Sequence, residues 1–204
     1  MEFWLIRHGS TRANEEGRFQ GRLDVPLSER GRREAALLGR RLAGTGPVEL
    51  FLSSDLQRAW ETALIISRAI EPVPLREPWL RECSWGYVEG LRRSEVRAIY
   101  PFLFAPDGSR LRALRAGGEG ERKLLARTRA LRRKIRRRHG KLHRVLLVSH
   151  GRLINAFVAG ALGCSTRERW PYAPAPASLS VLRHCPAAGC YELALFNDTA
   201  HLEP

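Results

Sequence analysis

The chain opens on a run of apolar residues, 1–6, in which only Glu2 is polar, and the run stops at Arg7. Such a run predicts a short buried strand. The next apolar residues follow a different period. Ala35, Leu38 and Leu42 recur at helical spacing after Pro26-Leu27-Ser28, which predicts a helix with Ser28 as N-cap, ended by Gly44 or Gly46. Between them, residues 14–21 show no period and read as an irregular loop. Residues 48–52 predict a second strand. It halts at Ser53-Ser54-Asp55-Leu56-Gln57-Arg58, where Ser54 and Gln57 have capping-box spacing. Leu56, Ala59, Ala63 and Ile66 supply the stripe of the helix that follows.

Residues 72–78, hemmed by prolines, predict a third short strand, followed by an aromatic and glycine-rich turn over 85–90 and a brief helix over 94–100. Over 102–120 the period is lost and Pro and Gly recur, the pattern of a long functional loop or lid. Leu124, Thr128, Leu131 and Ile135 then form one apolar edge of an otherwise charged helix. Residues 145–148 are continuously apolar, as buried parallel strands are, and run into Ser149-His150-Gly151 and a helix over 153–162. Two closing strands are predicted over 179–182 and 191–196. Strands alternating with helices predict an α/β fold: a three-layer sandwich with a mostly parallel central sheet and helices on both faces. The expected organisation is one domain, 1–204, with an insertion at about 83–120.

Composition narrows this picture. Two hundred and four residues suit one substantial core, and no apolar run reaches the ~20 residues of a membrane span. No signal-like segment opens the sequence, so a cytoplasmic protein without membrane association is expected. The four cysteines form no C-x-x-C pair; Cys185 and Cys190 flank a turn where they could face each other, and free thiols are expected. The net charge is +14, and residues 121–139 hold ten Lys/Arg against one acid. That charge suits an anionic ligand, or one solvated helix face.

Two strands end alike, at Arg7-His8-Gly9 and Ser149-His150-Gly151, and a third ends on Ser54 with Arg58 one turn beyond. Neighbouring parallel strands would gather two imidazoles and two guanidinium groups at the carboxyl edge of the sheet, where open α/β sheets hold ligands. Helix N-termini after Ser54 and His150 would add N–H donors, making a site for a phosphoryl group. Flanking arginines favour a neutral, nucleophilic imidazole. A departing alkoxide needs a proton, for which Glu82 is the candidate, with Glu89 its rival; a carboxyl beside a phosphate dianion suits a general acid. Trp85 and Trp79 read as core residues before substrate platforms, and Ser53 and Ser149 as turn or cap residues.

Leu5-Ile6-Arg7-His8-Gly9-Ser10-Thr11, Asn14, Gln20-Gly21, Ser54-Asp55-Leu56-Gln57-Arg58-Ala59 with Thr62-Ala63, Leu80-Arg81-Glu82 with Gly90, and Ser149-His150-Gly151 together resemble branch 1 of the histidine phosphatase superfamily, the phosphoglycerate mutase-like branch. The resemblance implies His8 as the phosphorylated nucleophile. It implies Arg7, Arg58 and His150 as ligands of the transferred group, and Glu82 as proton donor and then base for water. Thr11, Asn14, Gln20 and Gly21 match loop positions that contact phosphate or substrate, and Gly151 a backbone donor. No metal and no cofactor is implied. Asn197 to Leu202 resembles a closing motif of the family.

Two departures stand out. Many relatives carry Gly-Glu-Ser where this chain has Gly118-Glu119-Gly120, which weakens any substrate contact there. Arg152 follows the second His-Gly, where a small or neutral residue is common, and either adds a cation to the pocket rim or faces solvent. The stretch between Glu82 and the long helix is short for a mutase. The expected activity is therefore hydrolysis of a small, acidic phosphate ester by a monomer or homodimer. Phosphoglycerate mutase-type transfer is one alternative. The other is a basic polyanion- or RNA-binding module, though nucleic acid is not expected, because no aromatic residues interleave with the arginines.

Overall fold

The computed structural model describes residues 1–105, 111–164 and 174–203. Six strands form one sheet: β1 (Glu2–Arg7), β2 (Leu50–Ser53), β3 (Leu75–Arg76), β4 (Arg144–Ser149), β5 (Leu179–Cys185) and β6 (Cys190–Asp198), in the order β3-β2-β4-β1-β5-β6. The first four run parallel, and β5 and β6 close the sheet as an antiparallel hairpin. The helices are α1 (Arg12–Glu15), α2 (Glu29–Ala43), α3 (Gln57–Ile66), α4 (Arg93–Ile99), α5 (Glu121–His139) and α6 (Gly151–Ala161).

Alternation along β1 decides the layers, because successive side chains point to opposite faces of a strand. Trp4 and Ile6 pack with Leu38 and Leu42 of α2 and Ala59, Ala63 and Ile66 of α3. Phe3 and Leu5 pack with Leu124, Leu131 and Ile135 of α5 and Leu153 and Phe157 of α6. The expected mostly parallel sheet with helices on both faces is what forms. Among the described residues no helix is long and apolar enough to cross a membrane.

Several local expectations change. The aperiodic stretch after His8 begins with the single turn α1, too short to show a period. It is held instead by reciprocal bonds between the Thr11 hydroxyl and the Asn14 backbone and side chain. The third strand shrinks to two residues. Ser54 does not cap α3: that helix begins after Leu56, with Asp24 accepting from the Gln57 N–H, while the Ser54 hydroxyl accepts from Leu56 N and meets His150. Arg132 departs from a rod charged on every side but one. It is buried, donates to the Phe157 carbonyl at 2.6 Å and lies over the Phe157 and Tyr191 rings.

The stretch after α4 carries 3-10 turns at Pro101–Leu103 and Ala113–Ala116, and residues 106–110 of the expected lid lie outside the described residues. Leu103, Phe104, Leu111 and Ala116 build a small core with Val88 and Val96, so this stretch is packed rather than draped. Cys185 and Cys190 do pair across the β5-β6 hairpin, as free thiols.

Candidate active site

The parallel register places the site. Arg7 lies beside Ser149 and Ser53 beside Val148, so the ends of β1, β4 and β2 stand in a row. The ladder runs one step further: His8 N donates to the Ser149 carbonyl and Ser54 N to the Val148 carbonyl, both at 2.9 Å. His8 and His150 meet here with ring centroids 5.1 Å apart.

His8 is buried, and its Nδ1 lies 2.7 Å from the Gly9 carbonyl. A carbonyl only accepts, so Nδ1 carries the proton and Nε2 holds the lone pair. That lone pair receives Arg58 Nε at 3.2 Å. Burial first, then Arg58 and Arg7, hold His8 well below the usual imidazole range. Arg58 is fixed by two more bonds, to the carbonyls of Leu23 (2.7 Å) and Gly21 (2.8 Å), and burial lowers it to about 10. It pairs with neither Glu61 nor Glu34. Glu34 instead accepts from the backbone and hydroxyl of Ser10 at 2.8 and 2.9 Å.

His150 is fully buried, and burial with Arg58, His8 and Arg7 depresses it too. Its Nε2 sits 2.8 Å from the Ser54 hydroxyl. Ser54 also accepts from Leu56 N, and its hydroxyl hydrogen can go to His150 Nε2. His150 Nδ1 is buried and without a partner in the chain, and in that tautomer it is a donor. Arg7 gives one donor to the Pro174 carbonyl at 2.6 Å and keeps a buried, unpartnered Nε.

Glu82 is buried at the N-terminus of α6. Its carboxylate accepts the N–H groups of Cys83 (2.8 Å), Arg152 (3.1 Å) and Leu153 (3.2 Å), a terminus that favours negative charge. Glu89, its rival, accepts from Ser84 and from Trp85 N and does not line the cavity. Two devices aim Glu82. The Ser149 hydroxyl donates to the Leu80 carbonyl at 2.7 Å. Arg127 donates to the Trp79 and Arg81 carbonyls at 2.7 and 2.6 Å and pairs with buried Glu119 at 2.7 Å. The variant Gly118-Glu119-Gly120 segment thus serves as a latch.

A cavity of about 190 Å³ opens over these groups. Of the predicted residues, Arg7, His8, Asn14, Gln20, Gly21, Arg58, Glu82 and Gly151 line it. His150 stands behind the lining, and Thr11 is spent on capping α1. Trp85 lines the cavity as well as packing on the core, whereas Trp79 is 43% exposed. The sequence reading missed Arg18, Phe19 and Asn155 as lining residues. Asn155 was findable: it lies one turn beyond Gly151 on the same helix face. The closing motif acts at a distance: Asn197 Oδ1 accepts from Ala175 N, fixing the segment whose Pro174 carbonyl holds Arg7.

The match to known proteins is broad. The model of the histidine phosphatase superfamily (branch 1) matches residues 3–199. Phosphoserine phosphatase 1 of Hydrogenobacter thermophilus is 31% identical over 179 residues, 87% of this chain and 84% of that protein. A probable phosphoglycerate mutase of Cronobacter sakazakii is 30% identical over 172 residues, 80% and 75% of the two chains. Among solved structures, a mycobacterial glucosyl-3-phosphoglycerate phosphatase complexed with VO3 superposes with a TM-score of 0.81 at 29% identity. That superposition covers 96% of this chain and 98% of the other. This chain belongs to branch 1 of the histidine phosphatase superfamily.

Proposed function

We propose that the protein hydrolyses small phosphate monoesters through a phosphohistidine. The observation that carries this reading is His8: a buried, neutral imidazole that lines the cavity with Arg7 and Arg58, its Nε2 lone pair held by Arg58 Nε and its ring beside a second imidazole. The entering phosphoryl oxygens take over the Arg58 Nε–H, which frees the His8 Nε2 lone pair to attack phosphorus as the ester P–O bond breaks. Arg7, Arg58 and His150 Nδ1–H take up the charge on the phosphoryl oxygens. Glu82 takes up the proton of the entering phosphate monoanion, gives it to the departing alkoxide, then accepts one from the water that cleaves the P–N bond, returning His8 and releasing phosphate. Every charge is met by side chains, so the sequence of steps requires no metal. Asn14, Gln20, Gly21 and the Gly151 backbone surround the ester, and Thr11 acts indirectly by holding Asn14.

Hydrolysis is favoured over a mutase because the stretch between Glu82 and α5 is short and packed on its own core, without a long basic insertion. The whole chain reads as one catalytic domain, acting as a monomer or a homodimer. Four free thiols fit a cytoplasmic location.

Mixing the protein with p-nitrophenyl phosphate, and separately with 3-phosphoglycerate plus its bisphosphate primer, tests this. Free phosphate is expected in both, together with an acid-labile phosphoenzyme that His8→Ala abolishes along with turnover, by at least about 10⁴-fold. Isomerisation without phosphate release, or turnover surviving His8→Ala, overturns it.

A further inference from the structure

Four guanidinium groups line the cavity, and three of them are accounted for. Arg7 and Arg58 belong to the phosphoryl end. Arg18 is neutralised by Glu16 at 2.6 Å and also donates to the Gly90 carbonyl. The fourth is Arg152, the departure from the family pattern. Among the described residues no carboxylate pairs with its guanidinium, which lies over the Trp85 ring at 5.2 Å. Trp85 is in turn braced by Phe19, ring centroids 5.0 Å apart.

The position of Arg152 tells which half of a substrate it meets. Its backbone N–H holds the Glu82 carboxylate, so Arg152 is anchored beside the group that protonates the leaving oxygen. Arg152, Trp85 and Asn155 line the cavity together with His8 and Arg58; on the phosphatase reading the phosphoryl oxygens go to His8 and Arg58, which leaves Arg152, Trp85 and Asn155 for the alcohol half. Arg152 and Asn155 stand three residues apart on α6 and so share one face. One planar guanidinium held over an indole suits a planar monoanion, which it can bind bidentately. A second dianionic phosphate would call for the paired arginines found at the other end.

Resting on the phosphatase reading, we propose that Arg152 is a specificity-determining residue that binds a carboxylate on the leaving-alcohol half, so that the preferred substrates are phosphate esters of hydroxy acids. The test compares kcat/KM for 3-phosphoglycerate with that for glycerol 3-phosphate, which replaces the carboxylate by a hydroxymethyl group. The wild-type enzyme is expected to favour the acid, and Arg152→Gln to reduce that ratio by about 10- to 100-fold. Arg152→Lys is expected to restore part of it. Both esters are read on one preparation, so partial misfolding cancels in the ratio.

A ratio unchanged in Arg152→Gln, or equal losses on both esters, overturns the assignment. So does a wild-type preference for an alkyl bisphosphate over the acid. Turnover of p-nitrophenyl phosphate with no preference between the two esters overturns this inference alone. Absence of turnover on every ester overturns the phosphatase reading and this inference with it.

Discussion

Arg58 Nε donates to His8 Nε2 across 3.2 Å, so the cation that steadies the ring also opposes its protonation. His150 experiences the same cation. Both rings are buried and have their folded-state proton affinity depressed, so the unfolded chain binds more protons once the pH falls below the ordinary imidazole value of about 6.5. Their contribution to stability is complete above that pH and is lost as the pH falls toward the depressed folded values. Stability is expected to drop by up to about 1.4 kcal/mol per pH unit for each ring in that window. Thermal unfolding of wild type and of the His8→Asn/His150→Asn double variant between pH 7.5 and 5 measures this. Equal slopes in the two proteins would rule out the rings as its source.

Glu82 is expected to matter in proportion to the leaving group's need for a proton. Glu82→Gln should lower kcat/KM for an alkyl phosphate by about 10²- to 10⁴-fold. It should lower kcat/KM for p-nitrophenyl phosphate far less, because nitrophenolate departs unprotonated and kcat/KM stops at formation of the phosphoenzyme. Equal losses on both esters would assign Glu82 to orientation or folding instead.

The Arg127–Glu119 pair is expected to be costly to break from one side. Glu119 is almost wholly buried, and its other partner, Arg22, is 3.5 Å away. Arg127→Ala therefore leaves a buried carboxylate poorly compensated, at about 3–5 kcal/mol, and frees the backbone before Glu82. Adding Glu119→Gln should recover part of the stability but not the activity on alkyl esters. Urea unfolding of the single and double variants reads the first effect, and additive losses would refute it.

Two glycines of α2 are expected to answer oppositely to alanine. A Cβ on Gly31 would stand 2.0 Å from the Ser10 carbonyl oxygen, and one on Gly9 2.4 Å from that of Gly31. The loop carrying His8 thus rests directly on the helix backbone. At Gly39 the nearest atom is 3.4 Å away, an ordinary contact. Gly39→Ala should stabilise by up to about 1 kcal/mol through helix propensity. Gly31→Ala should destabilise by about 1–3 kcal/mol despite the same gain, and reduce kcat by displacing His8. Denaturation midpoints for the two variants decide it; a stable, active Gly31→Ala would show that the loop yields.

Much of the fold and site was legible in the chain because local signals suffice for it. The 2- and 3.6-residue periods mark strands and helices whatever packs on them, and Arg-His-Gly after an apolar run marks a strand end with chemistry. The misses have a common cause. Ser54 satisfies two rules, capping a helix and bonding a histidine, and only the presence of His150 selects the second. Arg132 and Arg127 carry the same charge as their exposed neighbours. Their inward course depends on aromatic rings and carbonyls supplied by α6, β6 and the segment before Glu82.

The amino-acid order alone determined the α/β class, the strand ends that carry His8 and His150, and the surplus of positive charge. Which atoms meet was decided by folding. The register of β1, β4 and β2 sets two imidazoles 5.1 Å apart and aims Arg58 at His8 Nε2. The N-terminus of α6 then holds the Glu82 carboxylate at the cavity wall, where three backbone donors converge, and leaves Glu89 outside the lining; that convergence exists only in three dimensions.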